Sequence, residues 1–273
     1  MGAGAGVGDP GSGDKPVTLP DDPKDLEKLP LNDVAASVLP SPETRLARLT
    51  HIQWQNSVRD LLRLPASEAL PEPRPDPVSS GFDFTNNGAT LEVDGLLHDD
   101  YQQAAEDLAA RVTMNAALLD KLLPTGSRAA GDGPEVFIRG FGLRAHRRPL
   151  AQEDVDAYLA LFADGPTYYP AQPAFEAGVR LLLEAFLQSP YFLYRWEPSS
   201  DVDGEAIPLD DYEVAARLSY TLWETMPDDG LFAAAQAAEL TTAPGVAAQV
   251  LRLLDDPRAE PVVSSFHAQL MNT

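Results

Sequence analysis

Apolar residues in this chain return at about every third or fourth position and almost nowhere at every second. This constrains the fold more than any motif does, because a strand shows the same face at alternate residues while a helix repeats its face with a period of about 3.6. In "LTHIQWQNSVRDLLRLP", Trp54, Val58, Leu61 and Leu62 fall on one helical face. Leu97, Tyr101, Ala104, Ala105 and Leu108 repeat the pattern, as do Val155, Tyr158, Leu159 and Phe162, and then Phe175, Val179, Leu182, Leu183 and Phe186. Stripes of this kind bury themselves against other helices. The expected class is therefore all-α, a multi-helix array of two or three small helical subdomains joined by short loops.

Glycine, proline and capping residues divide the array. Residues 1–42 are rich in Gly, Pro and Asp without periodicity, and we expect a disordered tail that lacks the apolar surface to order itself. A first helical domain is expected over residues 43–124. In it Thr50 and Gln53 have capping-box spacing, Pro65 is expected to end the helix, and alternating prolines from Pro71 to Pro77 make an extended, polyproline-like insertion. Asp94 is placed to cap the next helical region, which continues with breaks to Leu123. "PTGSRAAGDGP" is the expected boundary.

The second domain, residues 134–199, joins an arginine-rich segment to a helical hairpin. Glu153 and Asp154 suit a first helical turn, Asp164, Gly165 and Pro166 are expected to stop that helix, and Ser189 with Pro190 reads as cap and first helical residue. The third domain, residues 205–273, starts with a helix carrying Val214, Leu218 and Leu222 and continues with three shorter ones. An apolar helical pattern is still running at "FHAQLMNT", so we expect this domain to be truncated at its C-terminus.

Charge and cysteine content exclude whole classes of function. With 42 acids against 20 basic residues the formal net charge is -22, which disfavours nucleic acid and anionic membrane surfaces. The chain has 0 cysteines, so disulfides, thiolate chemistry, iron–sulfur clusters and covalent haem attachment are excluded. No run is long and apolar enough for a membrane span. The opening "MGAGAGVGDPGSGDKP" has the composition of a flexible spacer and not that of a signal peptide.

Several stretches together resemble a known set of domains. "RLTHIQWQNSVRDLL" with "FDFTNNGATL", then "FIRGFGLRAHRRPL" with "FEAGVRLLLEAFLQSPYFLYRWE", then "LDDYEVAARLSYTLWETMPDD" with "LLDDPRAEPVVSSFHAQ", look like three consecutive domains of unknown function from large exported proteins of planctomycetes and myxobacteria. In that family the domains accompany c-type cytochrome modules and lie beside genes for sulfatase-like exported proteins. The resemblance implies an extracytoplasmic setting, periplasmic or at the cell surface. It implies as partners other domains of the same protein or a c-type cytochrome module, and also sulfatase-like exported proteins. The cytochrome module is missing here, and "RGFGLRAHRRP" replaces a more uniformly arginine-rich version. No residue of the family transfers as catalytic.

The candidate chemistry is limited. Arg139, Arg144, Arg147 and Arg148, with His146 among them, offer planar guanidinium forks suited to carboxylate, sulfate or phosphate. The same residues suit internal pairing with Glu135, Glu153, Asp154 and Asp156. Asp83, Thr85, Asn87, Gly88 and Asp94 stand at positions 1, 3, 5, 6 and 12 of a calcium-loop register, although a turn of Asx hydrogen bonds ending in the Asp94 cap accounts for them equally. His51, His98, His146 and His267 are dispersed; non-covalent haem ligation would fall to His146 or His267. The pairs Asp228–Asp229 and Asp255–Asp256 read as helix-end residues, and Tyr191, Phe192, Tyr194 and Trp196 as core aromatics. The expected function is a non-catalytic helical scaffold and interaction module without a cofactor of its own. The alternative is a redox-linked or polysaccharide-processing component that holds an anionic or sugar-containing ligand at the arginine cluster.

Overall fold

The computed structural model describes residues 45–77, 84, 86, 90–126, 128, 131–200 and 207–271. The expected tail over 1–42 lies outside them. Eleven helices and two three-residue strands are present among the described residues, in the all-α arrangement that the periodicity predicts.

The strands are β1, Leu46–Arg48, and β2, Tyr194–Trp196, which pair antiparallel with Ala47 opposite Arg195. Neither is long enough to register as alternation in the sequence. Between them run α1 (His51–Leu61), α2 (Gly95–Thr113), α3 (Ala116–Leu122), α4 (Gly133–His146), α5 (Gln152–Tyr168), α6 (Ala174–Gln188) and the single turn α7 (Pro190–Leu193). After β2 come α8 (Asp211–Leu222), α9 (Asp229–Gln236), α10 (Ala243–Leu254) and α11 (Ala259–Met271).

The caps form where the sequence places them. The Thr50 hydroxyl accepts from the Gln53 amide and the Gln53 side chain accepts from the Thr50 amide, each at 3.2 Å. Asp94 accepts from Leu97 N at 2.7 Å, Ser189 from Tyr191 N at 3.2 Å, and Asp228 from Leu231 N at 2.9 Å. Two helix ends differ from expectation. α1 stops at Leu61, before Pro65, because Arg63 takes a left-handed φ of 50° and the Leu64 amide turns back to the Arg59 carbonyl at 2.9 Å. α5 runs through Asp164, Gly165 and Pro166 to Tyr168.

The second difference follows from packing. Gly165 and Gly178 let α5 and α6 approach so closely that a Cβ on Gly165 would stand 2.4 Å from Gly178 N, and one on Gly178 2.7 Å from the Phe162 carbonyl. That carbonyl is the acceptor a residue at position 166 would ordinarily use, and proline has no donor. The tertiary contact holds the last turn in place of the missing hydrogen bond.

A continuous apolar core extends from Leu49 to Phe232 and unites α1 to α7 with parts of α8 and α9. Its largest fully buried side chains include Trp54, Tyr101, Phe137, Phe186 and Phe192. Ala104, Ala105 and Ala109 on α2 keep the surface flat where α6 lies against it. A smaller core forms around Trp223, Leu231, Leu240 and Leu253, where the Trp223 indole donates to the Leu253 carbonyl at 2.9 Å. Tyr212 packs against both cores. The proline-rich insertion lies along this body and is fixed by polar side chains. Asp76 receives the His51 amide at 2.9 Å and pairs with the buried Arg48, while Arg74 binds Asp100 at 2.7 Å and Arg111 binds Glu68 at 2.9 Å.

Candidate functional site

α4 presents the arginine-rich segment, and its side chains diverge along the helix. Arg139, four residues after Glu135, pairs with it at 2.7 Å and reaches Gln152 at the start of α5, also at 2.7 Å. Arg144 crosses to Asp229 in the first turn of α9. Arg148 binds Asp210, the cap of α8, at 2.8 Å. Apart from the intrahelical Glu135 pair, each contact ties α4 or its end to a different element.

Arg147 is bound in another way. It ends α4 with a left-handed φ of 59°, and its guanidinium is buried. It donates to the carbonyls of Tyr191, Phe192 at 3.2 Å and Tyr194 at 2.6 Å, and to the Tyr220 hydroxyl at 3.1 Å. Among the described residues no carboxylate pairs with it. A one-turn helix leaves its carbonyls without internal partners, and Arg147 supplies the donors that α7 lacks.

His146 lies beneath this contact among the rings of Tyr158, Phe186 and Tyr191, with centroids 4.9–6.1 Å away. Burial, and after it the neighbouring Arg147 charge, pull its pKa down to about 3. It is a neutral ring near pH 7. His146, Arg147 and Arg148 share a crevice with Arg195 and Glu213, but its volume of about 10 Å³ holds no more than a water molecule. Arg139 and Arg144 are not part of it.

A larger groove of about 530 Å³ lies on the other side of α4, between the α1 end, the α3 end and α9. Its walls are mainly apolar, including Leu122, Phe137, Leu143 and Phe232, with the Arg144–Asp229 pair beside them.

The remaining sequence candidates separate. Asp83, Thr85, Asn87 and Gly88 lie outside the described residues, and Asp94 is engaged as the α2 cap. His51 faces Asp76 at 3.2 Å, while His98 and His267 lie on exposed helix surfaces. Among the described residues no three histidine or carboxylate side chains form a group able to hold a metal ion. Asp228 caps α9 and binds Arg252 at 2.8 Å, and Asp255 and Asp256 stand between α10 and α11, where Asp256 binds Arg258 at 2.8 Å. Of the four aromatics expected in the core, Phe192 is buried, whereas Tyr191 and Trp196 are 40% and 44% exposed with ring centroids 5.0 Å apart.

A buried ionic group was not expected from sequence. Glu197 is sealed from solvent and takes a bidentate pair from Arg217 at 2.6 and 2.7 Å. Arg195 pairs with the same carboxylate at 3.7 Å, and burial lowers its pKa against the opposing pull of Glu197. The signal was present in "YRWE": residues two apart in extended backbone point the same way. Three residues of strand are too few to show it against an aromatic run.

Three family models match the chain in order. Residues 47–114 match PSD3, protein of unknown function (DUF1587), residues 135–197 match PSD5, protein of unknown function (DUF1595), and residues 209–273 match PSD4, protein of unknown function (DUF1592). No curated protein and no solved structure matches.

Proposed function

We propose that this chain, three consecutive domains of unknown function, is a helical scaffold and interaction module within a larger exported protein, positioning neighbouring domains. The supporting observation is α11. Val263, Phe266 and Leu270 share one face at helical spacing and are 41%, 50% and 52% exposed, and Met271 beside them is 67% exposed. Only Ala259 of this helix is buried. Phe266 is half covered, with the Phe84 ring 5.5 Å away, and the rest of the stripe is open, which is the composition of an interface core. The arginine cluster fits the same reading, since each of its four arginines braces two elements of the body.

On this reading the chain works outside the cytoplasm beside c-type cytochrome modules or sulfatase-like proteins, and haem belongs to an adjacent module. Native mass spectrometry of the protein isolated from its source is the test. A retained protein partner, or a covalently continuous domain whose contact protects residues 259–271 from hydrogen exchange, is the expected result. Phe266→Asp with Leu270→Asp should abolish that protection. Equal exchange of α11 in isolated chain and native assembly would overturn the proposal.

A further inference from the structure

The groove of about 530 Å³ beside α4 falls within the roughly 300–1,000 Å³ of ordinary ligand sites. Its walls draw on all three matched segments: Leu61 and Arg63 from 47–114, α4 from 135–197, and Tyr212 and Phe232 from 209–273. Junctions between domains are favoured places for such sites. Among the described residues none of α11 lines the groove, so it is separate from the exposed α11 stripe.

Gly140 keeps this groove open. It lies inside α4, where glycine costs stability relative to alanine, and packing does not account for it, since a Cβ there would meet no neighbouring atom within 4 Å. Gly142 in the same helix is different: its Cβ would stand 2.4 Å from Leu150 Cδ1. Phe137, Gly140 and Arg144 have the spacing of one helical face, so the missing side chain leaves a depression in the α4 wall. The nearly buried rings of Phe137 and Phe232 border it. The charges on the walls are unequal. Arg144 is committed to Asp229, the one carboxylate among the described wall residues. Arg63 donates to the Lys121 carbonyl at 2.7 Å, which sets its guanidinium at the α3 end, and among the described residues neither Arg63 nor the Lys121 ammonium pairs with a carboxylate. Two cations thus stand at an apolar groove in a chain of net charge -22.

We propose that this groove binds a single-chain amphiphilic carboxylate, in class a fatty acid. The hydrocarbon chain lies over Gly140 against Phe137 and Phe232, and the carboxylate lies at Arg63 and Lys121, where the guanidinium fork matches its two oxygens. Burial of the chain supplies most of the affinity, and the cations fix its direction. A neutral chain would lack a counterpart to the two cations. A short-chain anion would leave the apolar walls against water.

The test is isothermal titration calorimetry of the full chain with octanoate below its micellar concentration, with 1-octanol and acetate as the other two probes. The expected result is saturable single-site binding of octanoate with a negative heat-capacity change. Acetate, which lacks the buried methylenes, should bind at least about a hundred-fold more weakly. Octanol should bind about three- to thirty-fold more weakly, the loss of one or two exposed ion pairs. Lys121→Glu should weaken octanoate by a similar factor and leave octanol unchanged, in a chain whose fold does not use that ammonium. Gly140→Leu fills the depression with a good helix former and should abolish binding of both chains without lowering Tm. Octanol binding as tightly as octanoate would make the groove a seat for a neutral apolar group, such as a side chain of a protein partner, and would overturn the proposal. So would a lack of saturable octanoate binding, or octanoate affinity unchanged by Gly140→Leu or by Lys121→Glu.

Discussion

Arg139 and Arg147 are eight residues apart in one arginine-rich segment, yet their replacement by methionine should have very different effects. Arg139 is exposed, and its main contact is an i,i+4 pair with Glu135 on the helix surface. Such pairs contribute about 0.3–0.5 kcal/mol. Arg147 is buried and supplies donors to three carbonyls and to the Tyr220 hydroxyl. Methionine keeps much of the stem but leaves those acceptors without their donor, and each buried acceptor so stranded costs about 1–3 kcal/mol. The losses are not additive, and water will reach the partly exposed Tyr194 and Tyr191 carbonyls. The expected total for Arg147→Met is about 3–5 kcal/mol. At this chain length it corresponds to a fall in Tm of roughly 6–15 °C.

Urea unfolding followed by far-UV circular dichroism and tryptophan fluorescence measures both variants. Arg147→Gly supplies a further check, because glycine adopts the φ of 59° without strain and should recover up to about 1 kcal/mol relative to Arg147→Ala. A loss below about 1 kcal/mol for Arg147→Met, or equal losses for Arg139→Met and Arg147→Met, would refute the assignment of Arg147 as the donor that completes α7.

The other predictions concern packing, burial and charge. Gly165→Ala should cost about 1–3 kcal/mol, since its Cβ would meet the Gly178 backbone and not a flexible side-chain tip; a Tm within 2 °C of the parent, on the order of the smallest such cost, would show that α5 and α6 can separate freely. His146 has a folded pKa of about 3 against an ordinary 6.5, so its contribution is fully present above pH 6.5 and is lost as the pH falls from there toward 3. The unfolded chain takes up the proton first, and His146→Phe should flatten stability over that window by up to about 1.4 kcal/mol per pH unit. Arg217→Met removes the bidentate partner of Glu197 and leaves it only Arg195 at 3.7 Å, so it should destabilise by about 1–3 kcal/mol at neutral pH, while Arg217→Met with Glu197→Gln should recover part of that loss in a double-mutant cycle.

The helices and most of their starts were legible because both signals are local. Thr50, Asp94, Ser189 and Asp228 each satisfy an amide two or three residues away, so sequence spacing alone contains the geometry. The failures at Pro65 and Pro166 share a cause. The first helix end is decided by a left-handed Arg63 whose side chain reaches the Lys121 carbonyl at 2.7 Å, and the second by the close approach of Gly178. Both depend on partners distant in sequence. The same holds for polar chemistry. That Arg144 and Arg148 meet Asp229 and Asp210, and not the acids nearest in sequence, follows from where α8 and α9 dock. The Glu197 group was hidden for the same reason, because its bidentate partner Arg217 stands twenty residues away on α8.

The pairing of β1 with β2 sets a schedule for synthesis. Leu46 meets Trp196, and the Leu49 amide donates to the Leu193 carbonyl at 2.9 Å, so β1 has no edge to bind until residue 196 has left the ribosome. At about 5–20 residues per second that interval is on the order of ten to thirty seconds. During it Arg48 and Trp54 can meet Asp76 and Tyr101 but not the strand that completes their surroundings. β1 is therefore an open edge to holdases and proteases throughout that interval, and a stall before residue 196 emerges would extend the exposure where a stall after its emergence would not.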